Sequence, residues 1–433
     1  MRRTPEAHPA SYWAATAGAP PDLAAADADV ETDVVIVGGG FTGLSTAYHL
    51  NQQGRKCVLL EANDIGWGAS GRNGGIAVPR YKHTFPAIEA RYGREVALDL
   101  YQVAHSALNI LERIIADCRI DCGFSRCGHI TPMVHQRDER RFAADVRWLA
   151  DRVGDKIPYM LDAAELEDRI GTKFYAAGYF EPRGGGIHPL RYCHGLAQAL
   201  EERGVQLFVR TPAIAWQRDQ NGITVETPKA RIRGKCLLIA TNAYSDLTGG
   251  TSQLKRRVVP MVSSLIATAP LPNEVRHSVL RHGNLVTDAK RLTNYYRVTP
   301  CNRLMFGGRG GATSKESPSI YARIERDMLA IFPQLRGTPI EYRWSGRVAV
   351  TVDGFPHAGA LNERVFYAMG YNGRGVALSA FLGHVLAQYA CGEPVAAGPL
   401  TKGRFEPIPF HFLRVPAKQA AITYFKLLDA LGF

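Results

Sequence analysis

The feature that most constrains this chain is the stretch GGGFTG at residues 38–43, which separates an apolar run from a helical pattern. The apolar run at residues 33–37 predicts a buried strand of a parallel sheet. Apolar residues then recur at helical spacing through residues 44–50, and a second apolar run follows at 57–60. Strand, helix and strand within about 30 residues predict a right-handed βαβ unit.

The glycines of this stretch fit the pattern G-x-G-x-x-G and have separate physical roles. Gly38 allows a tight turn, Gly40 lets the backbone approach a diphosphate, and Gly43 lets the helix pack closely on the strand. The helix that begins here directs free amide groups and the positive end of its dipole at the phosphates. The pattern therefore predicts a dinucleotide site at the strand-to-helix junction.

An acidic residue at the end of the second strand supports this interpretation. Glu61 follows Gly43 by 18 residues, where a carboxylate accepts hydrogen bonds from an adenosine ribose and repels a 2′-phosphate. This position disfavours NADP. The motif by itself does not separate FAD from NAD.

The next segment, GWGASGRNGG at residues 66–75, consists almost entirely of small residues. Such a loop allows backbone atoms to lie close to a flat ring system. Ser70, Arg72 and Asn73 provide side chains that can hydrogen-bond a phosphate or a ring edge. A flexible glycine loop without a ligand is the alternative.

The remaining patterns indicate a mixed α/β protein. Residues 97–117 and 137–152 have helical periodicity, and residues 203–240 alternate short strands with turns. Between 258 and 310 the chain predicts strands around Val259, Leu265, Tyr296 and Met305, which suits an antiparallel sheet. With 433 residues, two domains are expected.

Composition excludes several classes of function. The formal net charge is +12, but the 52 Lys and Arg residues form no long basic run, so no nucleic-acid site is predicted. The eight cysteines are scattered, and Cys118, Cys122 and Cys127 fit no zinc spacing, so no metal site is predicted. No apolar stretch has membrane-spanning length and no signal core follows Met1, so a cytoplasmic location is expected.

Several stretches together resemble the D-amino-acid oxidase (DAO) superfamily of FAD-dependent oxidoreductases, and within it the gamma-glutamylputrescine oxidoreductase branch. They are SYW at 11–13, GGGFTG at 38–43, GWGASGRNGG at 66–75, ATNAY at 240–244, WSG at 344–346, TVDGFP at 351–356 and GYNGRGVA at 370–377. They span nearly the whole chain.

The resemblance implies a Rossmann-like, glutathione-reductase-type FAD-binding domain and a second domain with an antiparallel sheet that covers the flavin. Both domains are discontinuous. The predicted FAD-binding segments are 1–105, 161–250 and 344–433, and the predicted substrate-domain segments are 106–160 and 251–343.

The motif and the resemblance together imply noncovalent FAD. The predicted contacts are Gly38, Gly40, Phe41, Thr42, Gly43, Glu61, Ala62, Gly68, Ala69, Ser70, Arg72, Asn73, Gly74, Gly75, Ile214, Ala240, Thr241, Asn242, Gly346, Gly373, Arg374, Gly375 and Val376. Relatives with a covalent flavin tether it to a cysteine, and none lies around Gly346. Cys301 lies on a different strand and is interpreted as an ordinary thiol.

Members of the family oxidise a carbon–nitrogen bond by passing a hydride to flavin N5, after which the imine hydrolyses. The predicted substrate contacts are Tyr295, Tyr296, Arg309, Tyr371 and Arg374. In the sarcosine oxidase branch one lysine clamps the substrate carboxylate and another promotes reaction with oxygen. Their counterparts here are Ala377 and Met305, which disfavours a simple N-methyl amino acid and leaves oxygen or another electron acceptor open.

Two further hypotheses stay open at this stage. One is a D-amino-acid-type dehydrogenase that hands electrons to a quinone or a carrier. The other is a basic module that binds nucleic acid or an acidic membrane face and keeps FAD only as a structural group. The partners expected are a small amine or amino-acid-like molecule and an electron acceptor, and the oligomeric state is left undetermined. A tail helix through Ala421, Phe425, Leu428 and Leu431 is predicted to pack on the FAD-binding domain.

Overall fold

A computed structural model describes residues 5–309, 316–393, 395–401 and 405–431 of the chain. The strands are β1 (Val30–Glu31), β2 (Val34–Val37), β3 (Cys57–Leu60), β4 (Ile76–Ala77), β5 (His129–Met133), β6 (Tyr159–Leu161), β7 (Ala177–Glu181), β8 (Gly185–Gly186), β9 (Gln206–Phe208), β10 (Ala215–Arg218), β11 (Ile223–Glu226), β12 (Arg231–Gly234), β13 (Cys236–Ile239), β14 (Val259–Thr268), β15 (Leu285–Thr287), β16 (Asn294–Val298), β17 (Leu304–Arg309), β18 (Ile340–Val350), β19 (His357–Asn362) and β20 (Val365–Met369).

Eleven α-helices lie in the described residues, and two of them match the helices predicted at residues 97–117 and 137–152. They are α1 (Tyr12–Thr16), α2 (Phe41–Gln52), α3 (Phe85–Tyr92), α4 (Arg94–Asp117), α5 (Gln136–Val153), α6 (Ala163–Ile170), α7 (Pro189–Glu202), α8 (Asn273–Arg276), α9 (Pro318–Ile331), α10 (Gly375–Ala390) and α11 (Arg414–Leu431). The sequence periodicity at residues 97–117 and 137–152 therefore predicted helices α4 and α5 correctly.

A six-stranded sheet carries the predicted βαβ unit. Its order is β19-β20-β13-β2-β3-β9, and every neighbouring pair is parallel except β19 with β20. The strands β2, β3 and β13 are buried along their whole length, as expected for a sheet covered on both faces. Helix α2 packs against α10 so closely that a Cβ at Gly383 would lie 2.5 Å from Ser45 Oγ.

A second sheet of eight strands has the order β18-β14-β17-β16-β15-β5-β7-β6, antiparallel except for the pair β15 and β5. Together the two sheets give the predicted mixed α/β fold. The separate strands expected around Val259 and Leu265 are one strand, β14, because its ten residues all pair with β18, with a single register shift between Ala267 and Thr268. β18 crosses the predicted boundary at 343/344, and the five-segment division of the chain remains a proposal.

The C-terminal helix lies in a different place from the one predicted. Ile422 packs on Met261 of β14, and Lys418 Nζ donates to the Pro260 carbonyl. Near its end, Asp429 pairs with Arg291 at 3.1 Å. Helix α11 therefore covers one end of the eight-stranded sheet, and its packing on the FAD-binding domain was a wrong prediction. The apolar stripe fixed the helix but gave no information about its partner.

Candidate active site

One cavity begins where β2 turns into α2. It runs past the ends of β3 and β13 to residues 347–349 of β18 and the start of α10. Sixteen of the predicted cofactor contacts line it: Gly38, Gly40, Phe41, Thr42, Glu61, Ala62, Gly68, Ala69, Ser70, Asn73, Ala240, Thr241, Asn242, Gly373, Gly375 and Val376. Because parallel strands end at the same edge of a sheet, residues far apart in sequence meet in this one cavity.

The glycines of the 38–43 turn leave no room for side chains. A Cβ at Gly43 would lie 1.9 Å from the Gly38 carbonyl oxygen, and one at Gly40 would lie 2.7 Å from Ser70 Oγ. Gly38 has φ +118°, a backbone conformation that side chains rarely adopt, and its Cβ would lie 2.8 Å from the Ala240 oxygen. The turn and the start of α2 thus expose backbone, rather than side chains, to the cavity.

Glu61 lies at the carboxyl end of β3 with both carboxylate oxygens hydrogen-bonded. Oε2 accepts from the Gly39 amide at 2.7 Å and Oε1 accepts from the Asn63 amide at 2.9 Å. Burial raises the pKa of Glu61, while these amides oppose that rise. The carboxylate is therefore fixed in position at the cavity wall, where further lone pairs remain for a ligand hydroxyl.

The polar side chains of the 66–75 loop hold the loop itself. Asn73 Nδ2 donates to the Ser70 carbonyl at 2.8 Å, and its Oδ1 accepts from the Gly75 amide. Arg72 Nε donates to the Trp67 carbonyl at 2.7 Å. Ser70 Oγ accepts from the Phe41 amide at 2.9 Å and ties the loop to the first turn of α2. These bonds link the glycine-rich loop to itself and to α2, which argues against the flexible alternative.

A second cavity opens from the first and lies against the eight-stranded sheet. Six residues line both cavities: Ala69, Asn73, Arg347, Val348, Gly373 and Val376. Four more predicted cofactor contacts line only the second cavity, namely Arg72, Gly74, Gly346 and Arg374. An extended molecule in the first cavity can therefore present one end to the second.

Three predicted cofactor contacts line neither cavity. Gly43 lies behind the turn, and Gly75 packs on the Ile187 carbonyl, where a Cβ would lie 2.2 Å from the oxygen. The prediction for Ile214 is corrected by one position. Its amide donates to the Glu226 carbonyl and its side chain is 37% exposed, whereas Ala213 lines the first cavity.

The two adjacent tyrosines of β16 point to opposite faces of the sheet, as alternate residues of a strand do. Tyr295 lines the second cavity, and its hydroxyl shares a hydrogen bond with Ser263 at 2.8 Å. Tyr296 lies in the core, stacked on Phe306 with ring centroids 5.1 Å apart, and its hydroxyl donates to Tyr175. The predicted substrate contact for Tyr296 is therefore wrong.

The other predicted substrate contacts divide in the same way. Arg374, the residue before α10, lines the second cavity. Tyr371 lines the first cavity and not the second, its hydroxyl shares a hydrogen bond with Thr42 at 2.7 Å, and its contact with the substrate stays a prediction. The backbone of Arg309 pairs with Ser263, and its side chain lies outside the described residues.

The second cavity is strongly basic. Seven basic side chains line it: Arg72, Lys82, Arg141, Lys290, Arg291, Arg347 and Arg374. Asp288 is the one carboxylate among the described residues of its lining. The Asp288 side chain is 3% exposed, and its burial raises its pKa to about 7. Such a site suits a ligand that carries negative charge and at least one positive group.

His188 and His357 lie outside the two cavities and hydrogen-bond or pair with other parts of the protein. His188 Nδ1 accepts from the Arg191 amide at the start of α7, and burial lowers the pKa of His188 to about 3. His357 lies 3.0 Å from Asp353. Neither histidine lines either cavity. No three His, Cys, Asp or Glu side chains of the described residues are grouped so that they could hold a metal ion.

Comparison with known proteins fits this geometry. The family model described as DAO, FAD dependent oxidoreductase, matches residues 33–389. The chain belongs to this family. It is 31% identical over 427 residues to the gamma-glutamylputrescine oxidoreductase of Escherichia coli, covering 98% of this chain and 99% of that one. It is 30% identical over 401 residues to a probable oxidoreductase OrdL of Haemophilus influenzae, covering 92% of each.

Solved structures show the same fold at lower identity. A glycine oxidase from Geobacillus kaustophilus superposes with a TM-score of 0.72 at 20% identity, covering 87% of this chain and 99% of that one. An L-proline dehydrogenase from P. horikoshii gives a TM-score of 0.71 at 19% identity, covering 86% and 96%. This DAO-family protein is an FAD-dependent oxidoreductase of the type that oxidises amines or amino acids.

The residues of this DAO-family protein fit FAD. The turn at 38–43 has space for a diphosphate only because no side chain fills it, and Glu61 lies at the end of the second strand of the βαβ unit, the usual position of an acid that binds an adenosine ribose. None of the described cysteines lines either cavity, so no thiol is placed to form a flavin link.

Precipitation of the flavin-loaded protein with acid should therefore release all the yellow colour into the supernatant, measured by absorbance. Colour that stays with the precipitate would show a covalent bond.

Two expectations about lysines change with the structure. Met305 and Ala377 are both buried, at 1% exposed each, and neither lines a cavity. Lys82 and Lys290 line the second cavity from other elements. Met305 lies on the same face of the sheet as Tyr295 and Gly307, but it packs in the core and lines neither cavity, so its assignment to a position beside the flavin ring is corrected.

Some lining residues gave no signal in the sequence. In the first cavity they include Ala213, Thr248 and Thr251, and in the second Lys82, Thr131, Arg141, Phe142, Asp288 and Lys290. Only Asp288 had a detectable mark, since it directly follows the apolar strand β15 in a sheet-rich segment. In the described part of the chain, the structure has no helix of the length and apolarity needed to cross a membrane.

Proposed function

We propose that this protein oxidises the terminal carbon–nitrogen bond of gamma-glutamylputrescine or a closely related conjugated amine. The observation that carries this proposal is the pair of joined cavities, with the second able to hold a long, charged substrate. The similarity to gamma-glutamylputrescine oxidoreductase over 98% of the chain supports it. A long substrate with several charged groups also explains why the second cavity has more charged side chains than a single amino acid requires.

We assign the cofactor contacts as follows. The backbone of the 38–43 turn and the start of α2 hold the diphosphate, and Glu61 holds the adenosine ribose. The start of α10, at Gly375 and Val376, directs its dipole toward the ring, where negative charge forms on reduction. Bound FAD supplies the two-electron oxidant that accepts a hydride from the carbon beside the amine nitrogen.

The chain itself orients the substrate and excludes water. The ring of Tyr295 forms an aromatic wall of the cavity. It packs directly on the backbone of Gly74 and Gly307, because neither glycine has a side chain. Its hydroxyl is held by Ser263, so the ring keeps one orientation. The substrate amine must be neutral when the hydride leaves, and the surrounding basic groups favour that form. The imine product then takes up water and gives an aldehyde and ammonia.

Substitution of the two tyrosines provides a matched test of this assignment. Tyr295→Phe should lower kcat/KM by about 2- to 10-fold, because the ring loses the hydrogen bond that orients it. Tyr296→Phe should leave kcat/KM unchanged and lower the free energy of unfolding by about 1 kcal/mol, because it removes only the bond to Tyr175 in the core. Steady-state kinetics and thermal melting would measure both. The reverse pattern would contradict the assignment.

The function itself is tested by anaerobic mixing of the flavin-loaded protein with single amines. Gamma-glutamylputrescine should bleach the flavin band faster and at lower concentration than putrescine, D-amino acids or sarcosine. Bleaching by D-amino acids alone would favour the dehydrogenase alternative. Admission of air afterwards shows whether oxygen accepts the electrons, since peroxide then forms as the colour returns.

A further inference from the structure

A buried carboxylate in the second cavity lacks a hydrogen-bond partner on one side. Asp288 follows β15 and lines the cavity at 3% exposed. Its Oδ1 accepts from the Asn294 amide at 2.9 Å, whereas its Oδ2 is buried and accepts no hydrogen bond. Buried polar atoms in folded proteins nearly always have a partner, so this oxygen requires an explanation.

The neighbour of this oxygen is a cation that does not reach it. Lys290 Nζ lies 3.9 Å from Asp288 Oδ2, beyond hydrogen-bond distance, and 4.8 Å from the centre of the Phe174 ring. The carboxylate and the ammonium therefore stand side by side at the cavity wall. A free α-amino acid carries an ammonium group and a carboxylate on the same carbon, so this pair of opposite charges is complementary to it.

We propose that Asp288 binds a second ammonium group of the substrate, at the end that is not oxidised, and that Lys290 binds the carboxylate beside it. The proposal rests on the proposed function and extends it to a substrate class, that of terminal amines conjugated to a free α-amino acid. The glutamyl end of gamma-glutamylputrescine carries both of these charges.

The chemistry excludes the reacting amine as the partner of Asp288. A carboxylate against an amine stabilises the protonated form, and a protonated amine cannot release a hydride from its carbon. All other charged side chains among the described lining residues are basic, so they cannot bind an ammonium group. The aromatic ring of Tyr295 and the flavin-side glycines remain for the neutral, reacting end.

Calorimetric binding to the flavin-loaded protein tests the subsite without turnover. The probe is gamma-glutamylbutylamide, which keeps the amino-acid end and lacks the reacting amine. Its affinity should fall at least about 10-fold when the α-amino group is acetylated, and by a similar factor in Asp288→Asn, which keeps the side-chain shape. Lys290→Met should lower the affinity for the probe but leave the affinity for its decarboxylated analogue unchanged.

Asp155→Asn is the matched control. Asp155 is also buried, at 8% exposed, and accepts from a backbone amide, that of Ile157, but it lines neither cavity. It should bind the probe like the wild type. Equal affinity of the wild type and Asp288→Asn, or no binding to the wild type, would overturn the subsite.

Kinetics separates this inference from the proposed function. With gamma-glutamylputrescine, Asp288→Asn should raise KM and leave kcat within a few-fold of the wild type. If the wild type is bleached by this substrate and the variant shows the same KM, the subsite is wrong and the function stands. A fall in kcat for every amine, with KM unchanged, would instead make Asp288 a proton acceptor and overturn the subsite. A wild type that binds the probe but is not bleached would overturn only the function.

Discussion

Gly43→Ala is expected to yield protein without flavin. The added Cβ would lie 1.9 Å from the Gly38 carbonyl oxygen, so α2 must move away from β2 and open the turn at 38–43. Overpacking against a backbone atom cannot be relieved by rotating a side chain. We expect FAD affinity to fall by at least about 100-fold, measured by flavin fluorescence during titration of the apoprotein.

Two further glycine variants show whether this loss is local. Gly40→Ala meets only Ser70 Oγ, at 2.7 Å, and should fold while binding FAD more weakly than the wild type. Gly54→Ala, at the end of the same helix, has φ +68° but no atom within 4 Å of the added Cβ, so it should keep its flavin. Full flavin content in Gly43→Ala would contradict the assignment of the turn.

Asp288→Asn is expected to stabilise the folded protein at alkaline pH. Burial raises the pKa of Asp288 from 3.8 to about 7, while Lys290 lowers it and Asp429 raises it further. The folded state therefore binds this proton more tightly than the unfolded state. The cost of ionising the group is absent below about pH 4, grows as the pH rises and is complete above about pH 7.

The size of the effect follows from the shift. At pH 8 the asparagine variant should be more stable by up to about 4 kcal/mol, and at pH 5.5 by about half as much. Melting temperatures of the flavin-loaded proteins at the two pH values would measure this difference. Asp155→Asn should behave in the opposite way, because burial of Asp155 is outweighed by the combined effect of Arg183, the Ile157 amide and the Tyr101 hydroxyl, which lower its pKa. A wild type that is the more stable protein at pH 8 would show that Asp288 is paired.

The part of the site that could be predicted from sequence is the part built from backbone. Gly38, Gly40 and Gly43 are restricted by turn geometry and close packing, which leave a local pattern along the chain. Glu61 follows from its distance to that pattern. These positions predict the dinucleotide site, and Gly38, Gly40 and Glu61 line the first cavity.

The substrate side could not be predicted in the same way. Tyr295 and Tyr296 are neighbours of the same type, and only the register of β16 decides which of them faces the cavity. Asp288, Lys82 and Arg141 reach the cavity from three separate elements, so no spacing in the sequence connects them. Polar residues of the 66–75 loop were predicted to contact a ligand, but the side-chain amide of Asn73 hydrogen-bonds the Ser70 carbonyl and the Gly75 amide within the loop.

In the proposed reaction, a substrate carbon–nitrogen bond is oxidised by hydride loss from the carbon beside the reacting amine. Anaerobic stopped-flow mixing of the flavin-loaded protein with gamma-glutamylputrescine, carrying hydrogen or deuterium at that carbon, tests it directly. We expect complete bleaching in both cases and a slower rate with deuterium. Equal rates with the two isotopes, or a flavin that dithionite reduces but this amine does not, would contradict it.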